Sequence, residues 1–245
     1  MKKFFSYTYK ISDIYKLNYA LTSYYLIQFI LIIFIAKNYT LPNSTSYITT
    51  DQLLVKAYGS NILSPATSHL FDVNIKLLII ILLIFSILIY TWLATKYRSH
   101  YGKNLKHRIN PVRWVQTGIS NGLMLVIVGM LGGIYDLSTL GVILVLPIIA
   151  NSILLIEEKH SDQTPNTISG WFILSLITLT IPILIILCYI ISADIYGIKG
   201  IGTYYYFLYG TVILIYLASY INQFLRVKKF TLWPNIFIAN RFLCY

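Results

Sequence analysis

The sequence predicts an all-α membrane protein, a polytopic bundle of transmembrane helices, on three observations. Of its 245 residues, 57% are hydrophobic and only 11% are charged, and the mean hydropathy is +0.70. A soluble domain carries about a quarter charged residues, so 19 basic and 8 acidic side chains are too few to cover a soluble surface of this size. The apolar residues also cluster in six long runs. These observations exclude soluble enzymes and disordered proteins.

Each of the six runs has about the 20 residues that a helix needs to cross the hydrocarbon layer. A helix satisfies every backbone N–H and C=O within the segment, as the absence of water in lipid requires. None of the runs alternates with period two, so a β-barrel is not favoured. The predicted spans are 19–36, 77–95, 114–134, 137–156, 168–192 and 203–225, in one bundle domain over 1–245.

Beyond the sixth span the sequence becomes apolar again and then ends. The segment 236–245 reads IFIANRFLCY and is predicted to begin a seventh helix that stops after one turn. Two interpretations are open from the residues alone. Either six helices are the complete design, or a seventh helix has been lost.

The distribution of Lys and Arg predicts the orientation in the membrane. Most of them lie in the N-terminal arm, in the 96–113 and 157–167 loops and after residue 225, whereas the opposite side holds only Lys37, Lys56, Lys76 and Lys199. The positive-inside rule then places the N-terminus in the cytoplasm. The net charge of +11 is explained by this asymmetry and does not indicate a nucleic-acid partner. The 37–76 loop faces outward and is expected to be an ordered cap or hairpin.

Polar residues inside the spans are the candidate functional residues. No Asp, Glu, Lys, Arg or His lies in the middle third of a predicted span, where a charge costs about 3 kcal/mol or more. Four charged residues lie at span ends and are expected to reach the lipid headgroups by snorkelling: Asp136, Asp194, Arg113 and Glu157.

The neutral polar residues concentrate on the third span. Gln116, Thr117 and Ser120 fall on one helical face together with Asn121. Such groups are usually interhelical hydrogen-bond partners worth about 1 kcal/mol each. Their concentration predicts a small cavity with a polar side.

The sequence shows no motif for metal binding, phosphate binding or catalysis by a Ser-His-Asp triad. The four histidines lie in loops without metal-ligand spacing, and no phosphate-binding loop or Ser-His-Asp order is present. We therefore predict no metal site and no enzyme. The 22 tyrosines are expected to form belts at the membrane interfaces.

The third span carries NPVRWVQTGIS at 110–120, followed by LMLVI at 123–127 and GIYDL at 133–137. These runs resemble the third-helix signature of the heliorhodopsins, which are retinal-binding seven-helix membrane proteins. The resemblance extends over 38–42, 70–73 and 222–229, and so covers nearly the whole chain. The inverted orientation of that family, with a cytoplasmic N-terminus and a large first outer loop, agrees with the charge distribution.

The resemblance implies retinal as the cofactor, bound in that family to a seventh-helix lysine and balanced by a glutamate after the Arg-Trp pair. Gln116 occupies the glutamate position and cannot neutralise a protonated Schiff base. By the same resemblance 240–242 looks like the opening of the seventh helix, so the lysine would fall beyond Tyr245. The chain is expected not to bind retinal covalently. A restored seventh helix would give a deprotonated, ultraviolet-absorbing chromophore, because no anion balances the charge.

Further positions resemble the pocket or polar cavity of the family. Tyr25 and Tyr90 appear where family members tend to carry histidine, which argues against a proton-accepting cavity. The predicted cofactor site comprises Gln116, Thr117, Ser120, Ser86, Tyr90, Tyr25 and Asn222.

The favoured hypothesis is a heliorhodopsin-like photoreceptor in the lipid bilayer that signals to a cytoplasmic partner, with a homodimer as a further expectation. It pumps no ion, because the spans lack a carboxylate relay. The alternative is a degenerate relative that acts through protein or lipid contacts without photochemistry. A small-solute transporter is less favoured, because it needs ionisable or broken-helix features at the bilayer midplane; Pro147 and Pro182 predict only kinks.

Overall fold

The computed structural model describes residues 11–50, 55–56, 63–97, 111–160, 169–197 and 202–227. In chain order these residues form α1 (Ile11–Ile35), β1 (Thr40–Thr50), β2 (Leu63–Asn74), α2 (Ile75–Ala94), α3 (Pro111–Leu131), α4 (Leu137–His160), α5 (Gly170–Tyr196) and α6 (Thr203–Val227). All six helices are long and apolar enough to cross a membrane, which confirms the predicted bundle. The predicted start of a seventh helix lies outside the described residues, and the single domain over 1–245 stays a prediction.

Several helices extend beyond the predicted spans. α1 begins at Ile11 and α5 continues to Tyr196, because hydropathy marks only the part of a helix that lies in lipid. Local capping defines two of the starts. The side chain of Asn74 accepts a hydrogen bond from the Lys76 amide at the start of α2, and that of Ser169 accepts one from the Phe172 amide at the start of α5. Both internal prolines lie within continuous helices, Pro147 in α4 and Pro182 in α5.

The loop between α1 and α2 contains an antiparallel hairpin. β1 pairs with β2 from Thr40 opposite Asn74 to Thr50 opposite Leu63, with one irregularity between Asn43 and Ser44. Because the two strands are long, most backbone N–H and C=O groups of this loop can form hydrogen bonds within the hairpin. The hairpin lies at the end of the bundle where α1 ends and α2 begins.

Asp136 connects the hairpin to the helices. Its carboxylate accepts hydrogen bonds from the amide and hydroxyl of Thr139, both at 2.9 Å, and from the Ser46 amide at 3.2 Å. The Ser44 amide donates to the carbonyl of Tyr135 at 2.8 Å. The prediction that Asp136 snorkels to headgroups was wrong. A carboxylate before the first turn of α4 is better satisfied by the N–H groups of that turn.

Consecutive helices pack along one another from α1 to α5. The closest approach joins α3 to α4, because α3 presents two glycines four residues apart. A Cβ atom added to Gly122 would lie 2.5 Å from the carbonyl oxygen of Leu144, and one added to Gly118 would lie 3.2 Å from the Cα of Ile148. Small residues at this spacing let two membrane helices come into backbone contact.

Four buried tyrosines connect α6 to the bundle. They recur at intervals of four, seven and four residues, so they share one face of α6. Their hydroxyls donate to backbone carbonyls of α3 and α5 in alternation: Tyr205 to Val128 at 2.6 Å, Tyr209 to Ile183 at 2.6 Å, Tyr216 to Asn121 at 3.0 Å and Tyr220 to Ser175 at 3.2 Å. The prediction of interfacial belts was therefore wrong for these four. A hydroxyl buried in the membrane needs a protein group that accepts its hydrogen bond. A helical carbonyl oxygen can serve, because it has a second lone pair besides the one used within its own helix.

Replacing Gly122 by Ala is expected to destabilise the protein by about 2 kcal/mol, because the new methyl group would overlap the backbone of α4. Reversible unfolding in mixed micelles measures the change. Gly141→Ala is the matched control, since a Cβ atom at Gly141 meets nothing within 4 Å. Equal stability changes in the two variants would contradict the close packing of α3 on α4.

Acidification is expected to release the hairpin from the bundle. Hydrogen bonds, chiefly from the Thr139 backbone, hold the pKa of Asp136 below its ordinary value of 3.8. The contact therefore stabilises the fold above that value, and the stabilisation is lost as the pH falls through the lowered folded value. Hydrogen exchange of the Ser46 amide, corrected for the intrinsic rate, should lose protection from about pH 6 to about pH 2.5.

Asp136→Asn is the control for that measurement, because Asn keeps an acceptor oxygen but does not titrate. Its Ser46 protection is expected to change little over the same pH interval. Constant protection in the unmodified protein would show that the Asp136 carboxylate does not hold the hairpin.

Candidate functional site

Three of the predicted site residues meet near the end of the bundle opposite the hairpin. The Tyr90 hydroxyl, on α2, donates to the side-chain oxygen of Gln116, on α3, at 3.2 Å. The ring of Tyr25, on α1, stacks on that of Tyr90 with centroids 5.4 Å apart and planes 10° from parallel. Tyr90 is fully buried and Gln116 is 5% exposed. We call Tyr25, Tyr90 and Gln116 the neutral triad.

Helical spacing places two predicted serines beside the triad. Ser86 lies one turn before Tyr90 on the same face of α2, is buried, and donates to the carbonyl of Leu82 at 3.0 Å. Ser120 lies one turn after Gln116 on α3. Within the part of the chain that the structure describes, its buried hydroxyl has no hydrogen-bond partner.

The other two predicted residues are not part of this contact. Thr117 is half-buried and lies about 100° around α3 from Gln116. The side chain of Asn222 lies outside the described part of the structure. The site as described therefore rests on five of the seven predicted residues.

The neutral triad contains no formal charge. Tyrosine and glutamine are both uncharged at neutral pH, and both donate and accept hydrogen bonds. In a low-dielectric interior, such groups can orient a polar ligand atom but cannot balance a charged one. The arrangement suits a ligand that is mostly apolar and has one polar end.

A second polar group lies nearby and was missed from the sequence. Trp114 on α3 donates its indole N–H to Glu158 on α4 at 2.5 Å, and Gln223 on α6 donates to Glu157 at 2.6 Å. The guanidinium of Arg113 lies 4.7 Å from the centre of the Trp114 ring. All five side chains are buried. We call this set the buried charged cluster.

The snorkelling prediction for Arg113 and Glu157 was therefore wrong. Their side chains turn into the protein, with exposures of 5% and 1%. Glu157 accepts a hydrogen bond from Gln223 on α6, and Arg113 lies over the ring of Trp114. Helical spacing could have identified Gln223, since it continues the face of α6 that carries Tyr216 and Tyr220. The cluster connects α3, α4 and α6. Among the described residues, no group of three His, Cys, Asp or Glu side chains could hold a metal ion.

The geometry can now be compared with known families. A sequence model of the heliorhodopsins matches residues 14–243, which is most of the chain. The chain belongs to the heliorhodopsin family. The predicted resemblance is thereby confirmed, and the protein is a rhodopsin-like membrane protein of a light-sensing, retinal-binding family. The match to the heliorhodopsins includes all residues of the neutral triad and of the buried charged cluster. A search of the curated proteins found no match.

A double-mutant cycle between Tyr90 and Gln116 tests the central contact of the triad in this heliorhodopsin. Tyr90→Phe and Gln116→Met each remove one partner, so their effects on the free energy of unfolding should be non-additive by about 1 kcal/mol. Pairing Gln116→Met with Tyr24→Phe is the control, because Tyr24 is 56% exposed. Additive effects of the first pair would show that the hydrogen bond is absent in the membrane.

Proposed function

We propose that the chain is a retinal-binding light sensor that signals through its helices and does not pump ions. The observation that carries this proposal is the neutral triad, in which buried Tyr90 and Gln116 meet half-buried Tyr25 between α1, α2 and α3 of a chain that belongs to the heliorhodopsin family. Its side chains come from three adjacent helices, and apolar residues that include Leu21, Ile89 and Leu93 pack in the cluster around Tyr25 and Tyr90.

Retinal fits the residues that are present if its polar end is uncharged. It is an apolar polyene with one polar end, and Gln116, Tyr90 and Ser86 supply buried polar atoms without a carboxylate. When bound, retinal would supply light absorption and double-bond isomerisation. The chain's own part would be to orient the polar end and to exclude water from it.

The distribution of ionisable groups supports sensing over pumping. A proton pump needs ionisable groups spaced along the membrane, whereas the middle third of each predicted span has none. In the part of the chain that the structure describes, the buried charged residues are Arg113, Glu157 and Glu158, and they lie together at one end. A change at the triad would reach that end through α3, since Gln116 and Arg113 are one turn apart.

The orientation and the partners are part of the same proposal. The basic loops favour a cytoplasmic N-terminus, which would place the buried charged cluster on the cytoplasmic side. A signalling partner would then contact that end. The predicted homodimer and the absence of enzymatic activity stay predictions.

One observation favours a second candidate, a membrane protein without photochemistry. By the family resemblance Gln116 stands where a counterion glutamate is expected, and an amide supplies no negative charge. Such a protein would keep the helix contacts of the family but would act through protein or lipid contacts alone. Retinal binding separates the two candidates.

Adding all-trans retinal to the purified protein in lipid is expected to give a stoichiometric complex that absorbs in the ultraviolet and changes its spectrum on illumination. Absorption difference spectra and isomer analysis of extracted retinal measure both effects. Illuminated proteoliposomes should show no net proton movement with a pH electrode.

Two matched variants locate the binding site. Ser86→Phe fills the buried face of α2 and should abolish retinal retention, whereas Val115→Phe adds the same ring to a side chain that is 52% exposed and should have no effect. No retention above protein-free lipid would favour the non-photochemical candidate. Light-driven proton flux would contradict the sensing proposal.

A further inference from the structure

The surface of the bundle between α5 and α6 carries a carboxylate at one end. Asp194 lies on the last turn of α5, and Tyr206 lies on the first turn of α6. The Tyr206 hydroxyl donates a hydrogen bond to the Asp194 carboxylate, so exposed side chains join the two helices there. Because consecutive spans alternate in direction, this contact lies at the end of the bundle that carries the hairpin. It is therefore separate from the neutral triad, which lies near the opposite end.

The helix faces that continue from this contact are apolar and partly exposed. On α5, Ile191 and Leu187 lie three and seven residues before Asp194 on the same face, with exposures of 47% and 36%. On α6, Gly210 lies one turn after Tyr206 on the same face. A Cβ atom added to Gly210 would meet nothing within 4 Å, so open space adjoins the helix there. We call the surface formed by these five residues the α5–α6 groove.

We propose that the α5–α6 groove binds a phospholipid whose headgroup ends in a primary ammonium, with the ammonium at Asp194 and an acyl chain beside Gly210. The two parts of the groove match the two parts of such a lipid, since the carboxylate attracts a cation and the apolar faces cover a hydrocarbon chain. Both helices are long and apolar enough to cross a membrane, so lipid is the partner that this surface meets.

The hydrogen-bonding groups favour a primary ammonium over a quaternary one. The Asp194 carboxylate has two acceptor oxygens, and one of them receives the Tyr206 hydroxyl. The phenolic oxygen of Tyr206 can itself accept a hydrogen bond. A primary ammonium brings three N–H donors to these oxygens, whereas a choline group has none and is attracted by its charge alone. A headgroup with a negative charge and no ammonium is repelled by Asp194.

The hydrogen bond from Tyr206 also holds the Asp194 carboxylate in place on the groove. Ordering a side chain before a ligand arrives reduces the entropy that is lost on binding. Asp72, at the same end of the bundle, provides a comparison. It is exposed as well, but it lies on β2 and contacts His69 at 2.8 Å. Its carboxylate is therefore placed on the hairpin and outside the groove.

Three lipids with identical dioleoyl chains test the proposal on the full chain: phosphatidylethanolamine, phosphatidylcholine and phosphatidylglycerol. Native mass spectrometry of the protein in detergent micelles measures the affinity for each lipid. The ethanolamine lipid is expected to bind about fivefold more tightly than the choline lipid, as a partly exposed charge pair allows, and the glycerol lipid should bind most weakly. Raising the salt concentration should reduce these differences, because salt screens exposed charges.

Matched variants separate the headgroup contact from the chain contact. Asp194→Asn keeps the size of the side chain and removes its charge, so the preference for the ethanolamine lipid should disappear. Gly210→Leu fills the open space and should weaken the binding of the ethanolamine and choline lipids alike. Asp72→Asn is the control, because it removes an exposed carboxylate outside the groove. It should leave all three affinities unchanged.

Three results would overturn the proposal. The first is equal affinity of the unmodified protein for the ethanolamine and choline lipids, and the second is a preference that persists in Asp194→Asn. The third is a protein dimer that Asp194→Asn loses, which would show that a second copy of the chain occupies the groove. None of these measurements uses retinal, so they leave the proposed function unaffected.

Discussion

The lack of water in the hydrocarbon layer of a membrane is the constraint on which the rest of the structure depends. A buried hydroxyl, amide or charge in lipid has only other protein groups as partners, and an unpaired one is costly. The four buried tyrosines of α6 meet this requirement by donating to carbonyls that already serve their own helices. α6 is therefore positioned by side-chain hydroxyls, whereas α3 and α4 are positioned by direct backbone contact at Gly122.

The same constraint separates the two polar groups of the interior. Charged residues lie in the buried charged cluster near one end, where Glu157 and Glu158 receive N–H donors from α6 and α3. The neutral triad is uncharged and lies at the junction of α1, α2 and α3. Charge is concentrated where several helices can satisfy it, and the triad has only the polarity of hydroxyl and amide groups. That division is one ground for proposing a sensor.

Membership of the heliorhodopsin family establishes the class of protein, while individual residues decide what this member can bind. By the family resemblance Gln116 stands where a counterion glutamate is expected, and an amide carries no negative charge. The Tyr90 hydroxyl donates to the side-chain oxygen of this amide. The neutral triad around Gln116 carries no formal charge, and this is the ground for proposing a ligand whose polar end is uncharged.

Composition and hydropathy determined the membrane class and the six spans, because the length of an apolar helix is set by the thickness of the lipid. Helical spacing also placed Ser86 with Tyr90, and Gln116 with Ser120, on common faces. Only the tertiary structure decided that Tyr25, Tyr90 and Gln116 meet, since periodicity gives the face of a helix but not the neighbour across from it. The sequence likewise did not show which side chains face Arg113 and Glu157, so both were expected at the lipid headgroups. Whether a charge at a helix end turns to water or to the interior depends on partners that other helices bring.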